Sequence, residues 1–475
     1  MPRRALTAVL ILAAAAVLSF RPIYEPDLWW HLAQGREDVT GRIVRTNVFS
    51  FTYPDYRQQY TPWLFDASAY LAWRAAGHVG IQLLQLTSVA VAMWLLYAAC
   101  RVRAPAWSAA AVLMAGFFIL EPRAIPRPHL VSFAGMAACL LLVERAARQG
   151  SARPLALAVP IVALWSNLHV ECVFGVALVG IFAIGETVWP AALARREGLR
   201  ATGIAILCGL AVIANPYGWG LIAYLYENLS VPAIMAIAEL RPPYLPAYRA
   251  FYAYLIVGGL LIAILPRRLR LWEVAAAVIF GVLGAMHLRL TPLVLFATAP
   301  IVASRLAAVT ARHVDPRAVL VTVFCAALAL SRIPVPLLVR GFAVGADAVE
   351  PQPFFSRAAA DFVTRTGLEG PVFNSHNLGG YLAWMLYPSV RVFQDSRLQA
   401  YPPEHFLGIM QAYRSQRDWD ALVASVDWAV LSIPRPNQLS GEGRFPIAEW
   451  ATVYQDDAME IVVRRTGRYA RLVRP

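Results

Sequence analysis

The sequence predicts an α-helical polytopic membrane domain followed by a small α/β soluble domain at the C-terminus, and three observations lead there. Hydrophobic residues make up 59% of the 475-residue chain and charged residues only 15%, whereas soluble globular domains carry about 25% charged residues. From Ala5 to about Leu330, long apolar runs alternate with short polar breaks. From about Arg340 onward the pattern is that of an ordinary soluble domain. We therefore expect a membrane domain at residues 1–335 and a soluble domain at residues 336–475.

The apolar runs predict about eleven transmembrane helices, because a spanning helix needs about 20 mainly apolar residues. The first run lacks the small-x-small pattern of a cleavage site, which favours a retained helix over a signal peptide. The predicted segments are Ala5–Phe20, Val79–Cys100, Pro105–Leu120, Leu130–Val143, Leu155–Trp165, Cys172–Trp189, Ala201–Ala214, Phe251–Leu265, Trp272–Met286, Pro292–Ser304 and Ala318–Leu330.

The positions of the arginines along the chain predict the membrane topology. The net charge is +13 and the chain has no lysine, so arginine supplies every fixed cation. Every second connection between apolar runs is basic, and the positive-inside rule makes these connections cytoplasmic. The N-terminus is then inside and the C-terminal domain outside, and this placement argues against nucleic-acid binding. The basic connections contain Arg3, Arg4, Arg101, Arg103, Arg145, Arg148, Arg153, Arg195, Arg196, Arg200, Arg267, Arg268, Arg270, Arg305, Arg312 and Arg317.

The cysteines indicate neither disulfides nor a zinc site. All five lie within or beside apolar segments, and none forms a spaced pair. We expect them to be small buried hydrophobic residues.

The outer connections differ, because they carry acids, histidines and arginines in compact clusters. An ionisable side chain at the bilayer centre costs at least ~2.5–3.5 kcal/mol. Clusters at helix ends avoid most of this cost and can line a pocket that opens outward. Ordinary loop residues are the alternative interpretation of each cluster. The clusters lie in residues 25–31, 62–66, 121–129, 165–171, 215–218, 239–243 and 287–292.

The first outer loop, residues 21–78, predicts a short helix with functional groups at its start. Pro26 suits the first position of a helix, and Asp27 lies in the first turn. His31 is four residues after Asp27 and shares its face. An apolar stripe then predicts an amphipathic helix on the outer membrane surface, and the acids are equally compatible with simple capping. The stripe comprises Leu28, Trp29, Leu32 and Ala33.

At these residues the chain resembles the GT-C class of membrane glycosyltransferases, which includes protein O-mannosyltransferases and aminoarabinose transferases. It is most similar to a bacterial GT-C-like family with a DPDLWWHL-type motif. Glu25 stands where that family usually has aspartate, and Val170-Glu171 replaces a glycine pair. The matching segments are Glu25–Leu32, Ile43–Thr52, Pro62–Asp66, Arg127-Pro128, Trp165–His169, Asn215–Gly218, Phe373–Pro388 and Val392–Arg397.

The resemblance implies transfer of a sugar from a polyprenyl-phosphate donor to an acceptor on the outer face of a bacterial inner membrane. Asp27 would be the general base, with Glu25 as its partner or as a metal ligand. The phosphate-binding candidates are Arg127, Arg241 and Arg289. The substrate-binding or divalent-metal candidates are His31, His129, His169, His287 and Asp66.

A non-enzymatic membrane protein, either a lipid-glycan transporter or an envelope assembly scaffold, is the alternative. Transporters often have two similar halves with binding sites at the membrane midplane. No internal repeat is evident here, and the polar clusters occupy one face. The pattern therefore favours an enzyme acting at the outer interface.

The soluble region alternates predicted helices and strands, which indicates a small α/β domain. Asp395 and Arg397 follow a predicted strand, where open α/β sheets tend to bind ligands. Gly379-Gly380 lacks the spacing of a phosphate loop. A packing or acceptor-presenting role fits this domain as well as a catalytic one. The predicted helices are Phe354–Thr366, Tyr381–Leu386, His405–Arg414 and Trp419–Ser425, and the strands are Pro371–Asn374, Val390–Gln394, Val426–Ser432 and Met459–Arg464.

Overall fold

A computed structural model describes residues 3–20, 22–23, 25–41, 43–230, 240–244, 248–264, 269–310, 322, 355–433 and 444–473. The chain forms two compact units. The helical unit comprises Met1–Arg21, Gln82–Leu221 and Met235–Ala343. The α/β unit comprises Pro22–Ile81, Ile222–Ile234 and Val344–Pro475. The first outer loop and the C-terminal region therefore belong to one unit.

The described elements are mostly helices. The helices are α1 (Arg3–Ser19), α2 (Asp27–Asp38), α3 (Trp63–Arg101), α4 (Ala106–Leu120), α5 (His129–Gln149), α6 (Ala158–Leu168), α7 (Cys172–Val188), α8 (Arg195–Ala211), α9 (Gly220–Ser230), α10 (Arg249–Ile264), α11 (Leu271–Met286), α12 (Thr291–Thr310), α13 (Arg357–Thr366), α14 (Gly379–Leu386), α15 (Pro403–Ala412) and α16 (Gln416–Leu422). The strands are β1 (Gly370–Asn374), β2 (Val390–Val392), β3 (Trp428–Ser432), β4 (Trp450–Gln455) and β5 (Met459–Arg464).

Three of the described helical segments are long and apolar enough to cross a membrane, namely Trp63–Arg101, His129–Gln149 and Leu288–Val309. Every predicted span in the described part of the chain falls on a helix. Several of these helices are short for a membrane span, such as the 15-residue α4 and the 16-residue α11. At 1.5 Å per residue these are about 23–24 Å long and fall short of the ~30 Å hydrocarbon core. Among the described residues, three helices are therefore long and apolar enough to span a membrane, and the other predicted segments fall on shorter helices.

Several predictions concern residues outside the described ranges. They are the span Ala318–Leu330, the basic residues Arg267, Arg268, Arg312 and Arg317, and the cysteine Cys325. The other four cysteines are free and buried, as predicted: Cys100, Cys139, Cys172 and Cys208.

The helical unit is built around α12, which packs against α4, α5, α10 and α11. A buried ion cluster joins three parts of this unit on the predicted cytoplasmic side. Arg103 donates to the carboxylates of both Glu144 on α5 and Glu273 on α11. Its guanidinium also lies over the ring of Trp272, 5.4 Å from the ring centroid. The cluster ties helix ends together, since a buried charge is tolerated only with such partners.

The C-terminal region contains a five-stranded sheet of order β2-β1-β3-β5-β4. Strands β2, β1 and β3 are parallel, while β3, β5 and β4 are antiparallel. The predicted alternation of helices and strands is confirmed, and β4 is an additional strand. Aromatic residues of the hydrophobic core cover the sheet, including Phe373, Trp419 and Trp450. The outer edge of β2 is paired with residues 49–51 of the first loop through backbone hydrogen bonds.

Helix α2 exists as predicted, but its expected position on the membrane surface is wrong. Both its apolar stripe and much of its polar face are buried within the α/β unit. Trp29 packs edge-on against Trp73, Phe355 and Tyr381 at centroid distances of 5.1–5.7 Å. Helix α2 packs along α14, where Gly380 lies against the backbone of Trp30. These contacts place the apolar stripe of α2 against protein, so it is not available to a lipid surface.

Candidate functional site

Asp27, the predicted base, lies in the first turn of α2 and is held from two directions. Its backbone N–H donates to Oε1 of Glu25 at 3.1 Å. Its side-chain Oδ1 accepts a hydrogen bond from the hydroxyl of Ser396. The Asp27 side chain is half-buried, and Glu25 is buried at 6% exposure. Glu25 therefore acts as a cap for the start of α2, as acids at helix N-termini commonly do.

His31 and Asp66 form a buried pair one turn further along α2. Nδ1 of the His31 imidazole and Oδ1 of Asp66 share a hydrogen bond of 2.6 Å. The close approach of α2 to the start of α3 depends on Gly35, since a Cβ there would lie 2.0 Å from the carbonyl oxygen of Asp66. The two candidates are thus brought together through Oδ1 of Asp66, while Oδ2 of Asp66 is buried without a hydrogen-bond partner among the described residues.

A fully buried ion pair supports Ser396 from both sides. Asp395 accepts hydrogen bonds from the backbone N–H, Nε and Nη2 of Arg397 at 2.7–3.0 Å. Arg397 also donates to Asn47 at 2.7 Å, and the hydroxyl of Tyr401 donates to Asp395 at 3.1 Å. Both charged side chains have 0% exposure. Removal of either partner would leave an uncompensated buried charge, at a cost of ~3–5 kcal/mol.

The carboxyl ends of β1 and β2 carry polar groups near Asp27. The loop after β1 contains His376, and Gln394 follows β2. Burial lowers the pKa of His376, although the carboxylates of Asp27 and Asp395 oppose that change. The two strand ends are drawn close by Gly379, where a Cβ would lie 1.9 Å from the carbonyl oxygen of Gln394. This edge of the parallel strands is where ligands bind in open α/β sheets.

The helical unit holds a second polar cluster, centred on Arg289. Its Nε donates to Oε1 of Glu171 at 3.0 Å, and its Nη2 donates to Nε2 of His169 at 3.0 Å. The Arg289 side chain is 28% exposed, whereas that of Glu171 is 8% exposed. Burial works against ionisation of Glu171, but the charge of Arg289 and a side-chain hydrogen bond from His169 hold the pKa of this carboxyl below its ordinary value. The guanidinium is thus oriented by a fixed carboxylate and a fixed imidazole.

The protonation of His169 follows from its neighbours. Because Nε2 accepts from Arg289, the ring proton is on Nδ1 and is donated to Oγ of Ser132 at 2.7 Å. Ser132 also accepts from the indole N–H of Trp165 at 3.0 Å. Burial lowers the pKa of His169 despite the nearby Glu171 carboxylate. His169 is therefore a neutral positioning group at neutral pH.

The remaining histidine and arginine candidates lie in the same unit. His129 donates from Nε2 to the carbonyl oxygen of Arg123 at 2.6 Å, and its ring centroid lies 6.5 Å from that of His169. His287 bonds through Nδ1–H to the carbonyl oxygen of Leu240 at 2.7 Å.

Two further arginines flank these groups. The backbone N–H of Leu288, the residue after His287, donates to the carbonyl oxygen of Arg241 at 2.8 Å. The exposed Arg241 is therefore joined to the segment that carries Arg289. Arg127 is half-buried, two residues before His129.

The structure thus groups the predicted residues by unit. Asp27, Glu25, His31 and Asp66 lie in the α/β unit, and the other candidates lie in the helical unit. Within the described residues, no group of three or more His, Cys, Asp or Glu is arranged to hold a metal ion. Sequence reasoning missed Ser396 and Ser132 and did not select Glu171. A usable signal was the position of Ser396 between Asp395 and Arg397, just past a predicted strand.

No known protein family matches the sequence, and no curated protein matches it. Solved structures do match. Archaeal oligosaccharyltransferase AglB from Archaeoglobus fulgidus, in complex with an inhibitory peptide and a dolichol-phosphate, is 12% identical with a TM-score of 0.59, covering 91% of this chain and 70% of that chain.

Two bacterial structures are also similar. ArnT from Cupriavidus metallidurans in the apo state is 15% identical with a TM-score of 0.54, covering 99% of both chains. Arabinofuranosyltransferase AftD from Mycobacteria is 16% identical with a TM-score of 0.59, covering 98% of this chain but 40% of that chain. At these identities the likeness concerns the fold. The chain has the fold of the GT-C class of membrane glycosyltransferases.

Proposed function

We propose that this protein is a membrane glycosyltransferase that moves a sugar from a polyprenyl-phosphate donor to an acceptor hydroxyl on the outer face of a bacterial inner membrane. The proposal includes membership of the bacterial GT-C-like family with the motif at Glu25–Leu32. The observation that carries it is the arrangement of Asp27, a half-buried carboxylate held through both its backbone and its side chain. The GT-C fold supports the same conclusion, because its solved examples include transferases.

Asp27 is proposed as the general base. It takes the proton of the acceptor hydroxyl while the acceptor oxygen forms a bond to the anomeric carbon. The bond from that carbon to the phosphate oxygen breaks, and the lipid phosphate leaves with the bonding electrons. General base catalysis of this kind contributes typically ~10²–10⁴-fold. Glu25 supports the reaction indirectly by fixing the start of α2.

Arg289 is proposed to bind the phosphate of the donor. A guanidinium binds phosphate through two parallel charge-assisted hydrogen bonds, which requires a fixed plane. Glu171 and His169 fix that plane, and the 28% exposure of Arg289 leaves the side chain reachable. Arg127 and Arg241 remain further phosphate-binding candidates, and His129 and His287 remain candidates for orienting the substrate.

The test is the transfer activity of purified Asp27→Asn with polyprenyl-phosphate sugars. We expect a loss of at least about 10²-fold, since asparagine cannot accept the proton. Asparagine caps a helix about as well as aspartate, so folding and membrane insertion should be retained. The exposed Asp55→Asn is the matched control for loss of one acid in the same loop. Wild-type turnover by Asp27→Asn would make the acids structural and would favour the non-enzymatic transporter or scaffold.

A further inference from the structure

The side chain of Ser396, in the C-terminal region, hydrogen-bonds to Asp27, although 369 residues separate the two in sequence. Its hydroxyl donates to Oδ1 of Asp27, which is a charge-assisted bond. Such a bond fixes the plane of a carboxylate as well as its distance. The bond therefore restricts rotation of the Asp27 side chain. The hydrogen bond from the Asp27 backbone N–H to Glu25 holds only the backbone.

The backbone of Ser396 is itself fixed by its two neighbours. Asp395 on one side and Arg397 on the other are fully buried and joined to each other, including a bond from the Arg397 backbone N–H to Asp395 at 2.9 Å. Arg397 is anchored further by Asn47 and by the ring of Phe49, which lies 4.9 Å away. Ser396 cannot shift without disturbing buried charges, so its hydroxyl is presented at a constant position.

We propose that Ser396 is a positioning residue for Asp27, and that the role of the C-terminal region in the reaction is to hold the Asp27 carboxylate in a fixed orientation. The inference rests on the proposed function, because it needs Asp27 to take a proton. It also gives a physical reason for the segment Asp395-Ser396-Arg397, in which a buried ion pair flanks a half-buried hydroxyl. Misplacement of a reacting group by about 1 Å can reduce a rate by about 10²-fold.

The experiment compares steady-state kinetics of Ser396→Ala, Ser396→Thr and Ser425→Ala in the full-length protein. For Ser396→Ala we expect kcat to fall by about 10–100-fold while the acceptor KM is unchanged, because binding contacts are retained. Ser396→Thr keeps the hydroxyl and should recover most of the lost rate. Ser425 is exposed and serves as the control, with kinetics like those of the wild type.

Two outcomes would overturn the proposal. One is a wild-type kcat in Ser396→Ala. The other is a loss of rate that Ser396→Thr fails to recover and that accompanies a lower Tm, which would indicate a structural role. If Ser396→Ala does not fold, the nearly isosteric Ser396→Cys replaces it and should show a smaller loss of kcat, and wild-type kcat there would overturn the proposal.

The failure of this inference can be told apart from failure of the proposed function. An inactive Asp27→Asn together with a fully active Ser396→Ala would reject only the role of Ser396. A fully active Asp27→Asn would reject the proposal that Asp27 is the general base, and the proposed role of Ser396 would then fail with it.

Discussion

Asp38, the last residue of α2, allows a quantitative prediction for the α/β unit. Its side chain is 7% exposed. Oδ1 accepts hydrogen bonds from the amide of Gln34 at 3.2 Å and the backbone N–H of Val44 at 2.9 Å. Oδ2 is buried and has no hydrogen-bond partner among the described residues. Burial raises the pKa of Asp38 from 3.8 to about 6, despite these bonds and the charge of Arg397, and Glu37 adds to the rise.

The raised pKa means that the folded protein holds this proton more tightly than the unfolded chain does. The stabilisation is fully present below the unfolded pKa of 3.8 and is lost as the pH rises through about 6. The full difference corresponds to about 3 kcal/mol. Between about pH 4.5 and about pH 7.5, ionisation of Asp38 should lower the free energy of unfolding by about 2 kcal/mol.

Asp38→Asn imitates the protonated side chain and should remove this pH dependence. The variant should therefore be more stable than the wild type by about 3 kcal/mol near pH 7.5 but by only about 1 kcal/mol near pH 4.5. We expect a Tm difference of several degrees at the higher pH, since about 1 kcal/mol shifts Tm by roughly 2–4 °C in a unit of this size. Thermal unfolding of the full chain in detergent, followed by near-UV circular dichroism, measures it.

The control for Asp38→Asn is Asp55→Asn, which removes one acid from an exposed position of the same loop. The reasoning would be refuted if the Tm difference between Asp38→Asn and the wild type were the same at both pH values. It would also be refuted if Asp55→Asn reproduced the effect, because the cause would then be net charge and not burial.

The remaining predictions concern phosphate binding and topology. Arg289→Lys should raise the donor KM about tenfold or more, because lysine cannot donate to Glu171, His169 and a phosphate in one plane. Substitution of the exposed Arg196 by lysine is the control, and full activity of Arg289→Lys would remove Arg289 from the proposed phosphate site. In a background without native cysteines, cysteine at Asp55 should react with an impermeant reagent from outside and cysteine at Arg196 should not, and the reverse labelling would contradict the predicted topology.

Much of the helical unit could be predicted from the sequence, because lipid requires long apolar helices whose backbone groups are satisfied internally. The helix positions followed from the apolar runs, and α2 from Pro26 and Asp27. Several helices, such as α5 and α12, extend beyond the predicted segments, since apolar composition alone does not show where a helix ends. The buried position of α2 was missed because an amphipathic stripe fits a lipid surface and a protein groove equally well.

The sequence was sufficient to predict a mainly helical, membrane-embedded protein with an α/β region at its C-terminus and clusters of polar residues near helix ends. These features depend on composition and on local periodicity. Which polar groups meet could be seen only in the folded protein. The pairing of His31 with Asp66, of Arg289 with Glu171, and of Asp27 with Ser396 joins residues 35, 118 and 369 positions apart. Such contacts depend on how the helices and strands pack, and no local pattern records that packing.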